Sequence, residues 1–454
     1  MPALRLSTKA AYAAGQAGNI LGDSLITGFA LYFYLPPSTG EKSGVPLVPE
    51  LLWDLLPVWL TLSIISRGFD SFWDPFVANW SDRSTHPFGR RRIFMLVGCL
   101  PLALSTAFVF FPPDGTATTS NVLWCGLWLT AYYVFYSVYV APYLALLPEL
   151  APDPKENVVL STAQAFAALV GAIAALIVGP IVATRLGVPM MAVVLAVVSF
   201  VLLAIPVVFI NEKRLVAAHE GPSSTLGFWA SIKETLRDQA FLPYVLGSTL
   251  FFFGFNIVRS AAPYYVEVLM RKSLDFQSVV FGATFGVAIV AFPVVAVATR
   301  RFGKRQVMIF GSALLALLML LIPLVNSVLA GLLVLGAAGV AVSILLAVPN
   351  AILADVCNAN ARRTGQRREA MFFGAQGLLQ KLNLGISTGL LGWLLSMGRT
   401  VQEPIGVQLS GPMAAVALVL AVFFFWRYPE QRVLNEIDAH AKNTDKALAR
   451  PEVS

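Results

Sequence analysis

The stretch SIISRGFDSFWDPFVANWSDR (residues 63–83) places Arg67, Asp70 and Asp74 within an otherwise apolar segment. Arg67 and Asp70 are three residues apart, and Asp70 and Asp74 are four apart. On an α-helix this spacing puts all three side chains on one face. Whether that face meets water, protein or lipid depends on the rest of the chain.

The composition predicts a helical membrane protein. Of the 454 residues, 57% are hydrophobic and 13% are charged, and the mean hydropathy is +0.73. A soluble protein of this length needs more polar surface to cover its cores. Apolar runs long enough to cross ~30 Å of hydrocarbon recur along the chain. They are continuous rather than alternating, which favours α-helices over a β-barrel.

Twelve spans are predicted, separated by Pro, Gly and charged residues. They cover residues 10–35, 51–80, 93–112, 121–147, 159–184, 188–210, 241–269, 277–299, 306–326, 329–356, 370–397 and 409–427. The longest connection is polar and mixed in charge. We therefore expect an all-α protein with a six-helix bundle at 1–210, a cytoplasmic linker at 211–240, a second six-helix bundle at 241–427 and a cytoplasmic tail at 428–454.

The distribution of basic residues predicts the orientation in the membrane. Of the 32 Lys and Arg residues, 24 fall on the side of both termini and five fall in the loops of the other side. The remaining three, Arg67, Arg259 and Lys381, lie within spans. Because basic residues are enriched in cytoplasmic loops, both termini are expected in the cytoplasm. The net charge of +7 then reflects topology and does not indicate nucleic-acid binding.

A weak internal repeat relates the two halves. SDRSTHPFGRRRIFMLVG (residues 81–98) follows the second span, and ATRRFGKRQVMIFG (residues 298–311) follows the eighth. Both place Phe-Gly and a basic cluster between the second and third spans of a half. Parallel repeats of this kind are typical of transporters whose substrate site lies between two helix bundles near the membrane midplane.

Ionisable residues inside a span indicate function by default. Asp70 and Asp74 repel each other when both are ionised, so the pair favours binding of a proton, or of Na⁺ with further oxygen ligands. Arg67 and Lys381 are available as resident countercharges. The alternative is a static ion-pair network that only fixes the helices, although such a network is costly for packing alone.

Other spans also carry charges, namely Asp23 in the first, Arg259 and Glu267 in the seventh, and Asp355 at the end of the tenth. Arg259 is suited to an anionic substrate group such as a carboxylate or phosphate. An ion pair with Glu267 or Asp23 is an equally good interpretation.

The fourth span is rich in aromatic residues. Trp128, Tyr132, Tyr136 and Tyr139 recur at helical spacing in WCGLWLTAYYVFYSVYVAPYLALLPEL (residues 124–150). They either pack against protein and lipid or form a cavity wall that contacts a sugar ring or an amphiphile. Pro142 is expected to end or kink this helix.

Four stretches together resemble the glycoside–pentoside–hexuronide:cation symporters, the melibiose-permease group of the major facilitator superfamily. They are YAAGQAGNILGDSLITGFALYFYL (12–35), RGFDSFWDPFVANWSDRSTHPFGRRR (67–92), APYLALLPEL (141–150) and ADVCNANARRTGQRREAMFFGAQGLLQK (354–381). The match covers both halves at the right spacing.

The resemblance implies roles for residues in the second, fourth and eleventh spans. Asp70 and Asp74 match the two cation-site carboxylates, and Arg67 matches the arginine one turn before them. Lys381 matches the lysine near that site, and Ser137 lies where the family has a hydroxyl ligand.

The resemblance also implies a cytoplasmic gating surface in the basic loops of both halves. Its members here are Arg90, Arg91, Asp355, Arg363 and Arg367.

Departures from the family pattern change the expected cation and substrate. Trp73 stands where sodium-using members often have Asn, and Val140 stands where melibiose permease has a third acid. Hard cations require several oxygen ligands, so H⁺ is favoured over Na⁺. The family's sugar-binding Asp aligns near Ile20, one turn from Asp23, and its sugar-contacting Arg aligns near Gln164. A melibiose-like galactoside is therefore not implied.

The sequence thus predicts a secondary symporter that imports a small solute, most simply a sugar or glycoside, with H⁺ by alternating access. The expected substrate contacts are Asp23, Tyr136, Gln164, Asn256 and Arg259. A bacterial inner-membrane location, a monomer in contact with membrane lipid, and no cofactor, metal or nucleic acid are expected. A lysolipid transporter of the same family is the alternative. A membrane enzyme or sensor is disfavoured, because the inner loops offer no nucleophile–base pair and all three His residues lie outside the spans.

Overall fold

A computed structural model describes residues 4–37, 44–52, 56–151, 154–210, 235–364 and 369–437. Within these residues the chain forms twelve long helices. They are α1 (Leu6–Tyr34), α2 (Val58–Arg83), α3 (Arg92–Phe108), α4 (Thr119–Leu150), α5 (Pro154–Ile173, a π-helical turn at Ala174–Val178, and Gly179–Leu186), α6 (Val188–Phe209), α7 (Phe241–Tyr264 with a π-helical turn at Tyr265–Leu269), α8 (Phe276–Phe302), α9 (Lys304–Leu320), α10 (Val328–Thr364), α11 (Glu369–Ser396) and α12 (Ile405–Arg427). A 3₁₀ turn at Ile322–Leu324 follows α9.

Eight of these helices, α4 to α10 and α12, are long and apolar enough to cross a membrane by length and composition alone. Helix α3 is also apolar but has only 17 residues. Helices α1, α2 and α11 are long enough at 1.5 Å per residue but carry more polar side chains. These three helices also contribute most of the buried charges described below.

The predicted spans agree with the helices to within a few residues except at the second and at the end of the tenth, where α10 continues to Thr364 instead of ending at residue 356. The second helix begins at Val58 and not at residue 51, because Leu51–Leu52 (β1) and Leu56–Pro57 (β2) pair as two short antiparallel strands. Helix α4 continues through Pro142, so of the two expected effects of this proline, an end or a kink, the structure excludes the end of the helix. The predicted linker lies mostly outside the described residues, as do residues 438–454 of the predicted tail.

The two halves of the chain repeat one packing scheme. In the first half, α1 packs along α5 and α6, α2 along α4, and α3 along α4 and α6. Each contact recurs six helices later: α7 packs along α11 and α12, α8 along α10, and α9 along α10 and α12. The halves meet where α2 lies along α11, where α1 meets α7, and where the π-helical turn of α5 meets α8.

The helices define two faces. The terminal face is the one where α1 begins and α12 ends, and the far face is the opposite one. Close contacts between the halves lie toward the far face. The Tyr264 hydroxyl donates to the Leu35 carbonyl at 2.7 Å, and the Ser278 hydroxyl donates to the Ile177 carbonyl at 2.6 Å. Arg399 Nη1 lies 2.6 Å from Glu50 Oε1.

Glycines on α11 allow α2 to approach closely in the same region. A Cβ on Gly389 would lie 2.5 Å from Leu60 Cδ1, and one on Gly392 would lie 2.7 Å from Trp59 Cβ. Small residues at such interfaces let helix backbones approach within a membrane. On the terminal face, by contrast, the ion pairs and hydrogen bonds of the described residues join partners in the same half. The structure is therefore closed between the halves on its far face.

Candidate cation and substrate site

The Lys381 amine on α11 lies between the carboxylates of Asp70 and Asp74 on α2. Its Nζ is 2.8 Å from Asp70 Oδ1 and 2.5 Å from Asp74 Oδ2. The Ser137 hydroxyl on α4 donates to Asp70 Oδ1 at 2.9 Å. Because α2 and α11 belong to different halves, this cluster joins the halves near the middle of the helices.

The two carboxylates differ in their access to solvent. The Asp70 side chain is 0% exposed, whereas that of Asp74 is 36% exposed. Asp74 is also one helical turn nearer the terminal face. Asp74 is therefore the more accessible of the two carboxylates.

Asp23 on α1 lies between two guanidinium groups. Its Oδ1 is 3.3 Å from Arg67 Nη2, and its Oδ2 is 3.7 Å from Arg259 Nη2. Arg259 Nη2 also donates to Thr27 Oγ1 at 2.5 Å, and the Arg67 guanidinium lies 3.9 Å from the centre of the Tyr133 ring. Of the two partners considered for Arg259, the structure therefore places it beside Asp23.

Glu267, the other partner considered for Arg259, instead accepts a hydrogen bond from Tyr32 across the halves. The distance from the Tyr32 hydroxyl to Glu267 Oε1 is 3.0 Å. This contact lies nearer the far face than Asp23 does.

Together these side chains form a continuous series of alternating charge. It runs in the order Arg259, Asp23, Arg67, Asp70, Lys381 and Asp74, with Arg67 Nη1 3.6 Å from Asp70 Oδ2. Three acids balance three bases, which limits the cost of burying them. The pairs Arg259–Asp23 and Lys381–Asp70/Asp74 each cross from one half to the other.

The remaining predicted substrate contacts lie at different distances from this series. The Tyr136 ring centre is 5.6 Å from Lys381 Nζ. Asn256 is buried on α7, about one turn before Arg259. Gln164 instead donates to Gln16 Oε1 at 3.1 Å, and Gln16 is two turns, about 10 Å, from Asp23 toward the terminal face. Of the five predicted substrate contacts, Gln164 thus has the weakest link to the charged series.

The other aromatic residues of α4 pack mostly within the first half. Trp128 stacks on Phe108 with ring centres 4.6 Å apart. The Tyr139 hydroxyl donates to the Leu203 carbonyl at 2.8 Å. Tyr136, in contrast, contacts the charged cluster through Lys381.

The predicted gate residues form ion pairs within each half on the terminal face. Arg90 and Arg91 contact Glu149 Oε1 at 2.5 and 2.6 Å in the first half. Lys304 contacts Asp355 Oδ2 at 2.6 Å in the second half. In the described residues these pairs do not cross between the halves.

On the terminal face, the carboxylate of Asp238 accepts several hydrogen bonds at the start of α7. Asp238 accepts hydrogen bonds from the Ala240 and Phe241 backbone, from the Asn360 amide and from the Arg363 guanidinium. Burial favours a raised pKa for Asp238, but these hydrogen bonds and the Arg363 charge outweigh it and lower the pKa. Arg367, the remaining predicted gate residue, lies outside the described residues.

Sequence reasoning missed several of these partners. Thr27 follows Asp23 by one helical turn, a spacing that could have indicated its place in the site. Tyr133, Asp238 and Glu50 carry no comparable signal, because their partners are distant in sequence.

Twelve helices in two similarly packed halves, with charges buried between them, define a membrane transporter. The chain belongs to the MFS/sugar transport protein family, whose model matches residues 11–429. It is 27% identical over 355 residues to the isoprimeverose transporter of Lactiplantibacillus pentosus. That alignment covers 74% of this chain and 72% of the relative. It is 24% identical over 388 residues to the glucuronide carrier protein homolog of Escherichia coli K12. That alignment covers 81% of this chain and 83% of the relative.

Solved transporters share the fold at low sequence identity. A bacterial homolog of the human lysosomal transporter Spinster aligns with a TM-score of 0.65 at 13% identity, over 94% of this chain and 97% of that one. The nucleoside transporter NupG aligns with a TM-score of 0.62 at 13% identity, over 94% and 99%. The protein is therefore an integral membrane transporter and not an enzyme, as the sequence predicts.

Proposed function

We propose that this protein is an H⁺-coupled symporter that imports a small sugar or glycoside by alternating access. The observation that carries the proposal is the Lys381 amine bound between Asp70 and Asp74 across the two halves. A cation that bridges two carboxylates at a moving interface is suited to exchange with a proton.

The proposed orientation follows from the excess of basic residues on the terminal face, which assigns that face to the cytoplasm. The repeated helix packing supports six-helix bundles at 1–210 and 241–427, joined by the linker at 211–240 and followed by the cytoplasmic tail at 428–454. With this orientation, the structure represents the state closed to the outside.

In the proposed cycle, Lys381 and a proton replace each other at the carboxylates. After H⁺ leaves through the more exposed Asp74, the amine bridges both carboxylates and, together with Arg67 beside Asp70, balances their charge, so the empty carrier reorients. When the far face opens, protonation releases the amine and loosens the contact between α2 and α11. Neither step leaves a buried carboxylate without a partner, which would be costly.

The ligand set favours H⁺ over Na⁺. Asp70, Asp74 and Ser137 supply side-chain oxygens around Lys381 Nζ. Trp73 and Val140, which flank them, have none. A hard cation requires more oxygen ligands than these residues supply, whereas a proton requires one.

We place the substrate beside Asp23 and Arg259. Asp23 can accept hydroxyl hydrogen bonds, and Arg259 Nε is buried with no hydrogen-bond partner among the described residues. A substrate carboxylate would pair with Arg259 in place of Asp23. Binding there would change the charges in the series that extends to Lys381. Substrate binding would in this way affect proton binding at Asp70 and Asp74 electrostatically.

Gating in this proposal exchanges ion-pair partners on the terminal face. Arg90 and Arg91 are held by Glu149, and Asp355 is held by Lys304, within their own halves in this state. When that face closes, these groups, with Arg363 and Arg367, would supply pairs between the halves.

The lysolipid alternative lacks support from the described cavities. An apolar crevice of about 1070 Å³ exists, but its lining residues come from α8, α9 and α10. None comes from the helices that carry the charge series. An amphiphile bound there would not reach Asp23 or Lys381.

The test is ligand-induced thermal stabilisation of the purified protein. Neutral glycosides, uronides and lysolipids would be screened at two pH values, with and without Na⁺, because a ligand raises the melting temperature by mass action. We expect a sugar-type ligand whose effect is strongest at low pH, is independent of Na⁺ and is altered by Asp74→Asn. A Na⁺-dependent sugar ligand would overturn H⁺ coupling, and stabilisation by lysolipids alone would overturn the substrate class.

Arg259→Gln separates acidic from neutral substrates in the same assay. If Arg259 binds a carboxylate, the variant loses about tenfold or more in affinity for a uronide, because a hydrogen bond to a charged group contributes about 1.5–3 kcal/mol. Its affinity for the matched neutral glycoside should change much less. Equal losses for both ligands would contradict this placement.

A further inference from the structure

An apolar crevice separates α8 from α9 on the outer surface of the second half. Its volume is about 1070 Å³, and its floor is formed by Val340 and Ile344 of α10. The wall on α8 consists mainly of small side chains. They are Gly286, Val287, Val290, Ala291, Val294, Val295 and Ala298.

The crevice is about as long as one membrane leaflet is thick. From Gly286 to Phe302 the helix rises about 24 Å at 1.5 Å per residue. Half of a bilayer is about 15 Å of hydrocarbon, or about 20–22 Å with its headgroup region, so a crevice of this length extends from near the middle of the membrane into the headgroup level of the terminal face.

The corresponding helices of the first half are bridged by aromatic side chains. Trp80 of α2 and Phe94 of α3 are in edge-to-face contact with ring centres 5.7 Å apart. Val290 and Val294 on α8 are 75% and 66% exposed, so the crevice is lined by apolar surface that no part of the described chain covers. Apolar surface arranged as a crevice, rather than a convex face, favours a specific occupant.

The open end of the crevice is basic. Arg301 and Gln306 line it, and Arg301 forms no ion pair with the described residues. Two of its basic neighbours are engaged, since Lys304 pairs with Asp355 and Arg305 donates to the Trp426 carbonyl at 2.5 Å, whereas Arg300 does not line the crevice. An exposed guanidinium at this level is placed to bind a phosphate group.

We propose that the crevice binds one anionic diacyl phospholipid from the leaflet on the terminal face. An acyl chain lies between α8 and α9 against Val340, and the phosphate contacts Arg301 with Gln306 beside it. This site is independent of the transported substrate, because no charged residue of the transport site lines it.

The test is native mass spectrometry of the full chain in detergent, titrated with phosphatidylglycerol. Arg301→Gln removes the headgroup contact, and Val294→Trp fills the crevice. Arg300→Gln and Val297→Trp are matched controls, because Val297 is equally exposed at 63% on the same helix and neither residue lines the crevice. Phosphatidylcholine with the same acyl chains is the matched lipid.

We expect Arg301→Gln and Val294→Trp each to weaken phosphatidylglycerol binding about tenfold, the size of one charge-assisted contact, and the controls to change it less than about twofold. Phosphatidylcholine should bind the unaltered protein about tenfold more weakly. Equal binding of both lipids, or equal effects of each variant and its control, would overturn the proposal. A dimer that Val294→Trp abolishes would show instead that a second copy of the chain covers the crevice.

Discussion

Lys381 Nζ on α11 lies 2.5 Å from Asp74 Oδ2 on α2, although the two residues are 307 positions apart in the sequence. The same amine lies 2.8 Å from Asp70 Oδ1. The Lys381 ammonium group therefore donates hydrogen bonds to two carboxylates and links the two halves of the transporter. Its removal should affect both stability and coupling.

Lys381→Met should destabilise the protein more at high pH than at low pH. Without the amine, Asp70 and Asp74 are left as two neighbouring charges, and protonation relieves their repulsion. Loss of one partner of a buried pair costs about 3–5 kcal/mol, and the partial exposure of Asp74 reduces that value. Thermal unfolding at pH 5 and pH 8 measures the difference from the unaltered protein.

Adding Asp74→Asn to Lys381→Met provides the control for that measurement. The double variant should recover part of the stability at pH 8, because one of the two repelling charges is gone. A loss that is the same at both pH values, or no recovery in the double variant, would contradict the electrostatic role of the amine.

Asp23→Asn should be more damaging than Arg259→Gln. Asp23 faces both Arg67 and Arg259, so its neutralisation leaves two guanidinium groups without their shared acid. Arg259→Gln leaves Asp23 paired with Arg67. We expect about 3 kcal/mol of destabilisation for the first variant and about 1 kcal/mol for the second, by thermal or denaturant unfolding. A larger effect of Arg259→Gln would show that the pair with Arg67 does not hold Asp23.

The spans and the carboxylate pair could be predicted because their signals are local. Continuous apolar runs identify helices, and the spacing of Asp70 and Asp74 identifies a shared face. The error at the second span has a physical cause: its first residues are as apolar as a helix, but Leu51–Leu52 and Leu56–Pro57 pair as short antiparallel strands. Apolar composition alone does not distinguish the two.

The connection from Asp70 to Arg259 could not be predicted from the residues alone. It requires α1, α2 and α7 to meet, and the Arg67–Asp23 contact joins residues 44 positions apart. The sequence left Asp23 or Glu267 as partners for Arg259, and only the packing of α7 against α1 selects Asp23. The proposed roles of these residues in transport stay predictions until the binding experiments are done.

Asp238→Asn should reduce stability at neutral pH and remove a pH-dependent contribution. Because the folded-state pKa of Asp238 is lowered, its carboxylate stabilises the fold above the unfolded pKa of about 3.9, and this contribution is lost as the pH falls through the lower folded value. We expect a loss of about 1–2 kcal/mol at pH 7 that diminishes below about pH 4. Thermal unfolding across this range tests it, and a constant difference at all pH values would contradict the prediction.

Gly389→Ala should shift the protein away from the state closed on its far face. A Cβ at Gly389 would lie 2.5 Å from Leu60 Cδ1 and 2.9 Å from the Leu60 Cα, so α2 and α11 could not keep their present separation. The clash involves backbone as well as a side chain, so a rotamer change does not relieve it. Opening the far face separates these helices and removes the clash.

The matched control is Gly377→Ala on the same helix, where a Cβ would meet nothing within 4 Å. A cysteine at Ser63, introduced after Cys99, Cys125 and Cys357 are replaced by Ser, lies beside α11 in the closed far-face contact and reports opening through its rate of alkylation. We expect Gly389→Ala to raise that rate several-fold and Gly377→Ala to leave it unchanged, because only the first substitution disfavours the closed contact between α2 and α11. Equal rates in the two variants would show that the glycine contact does not hold the far face closed.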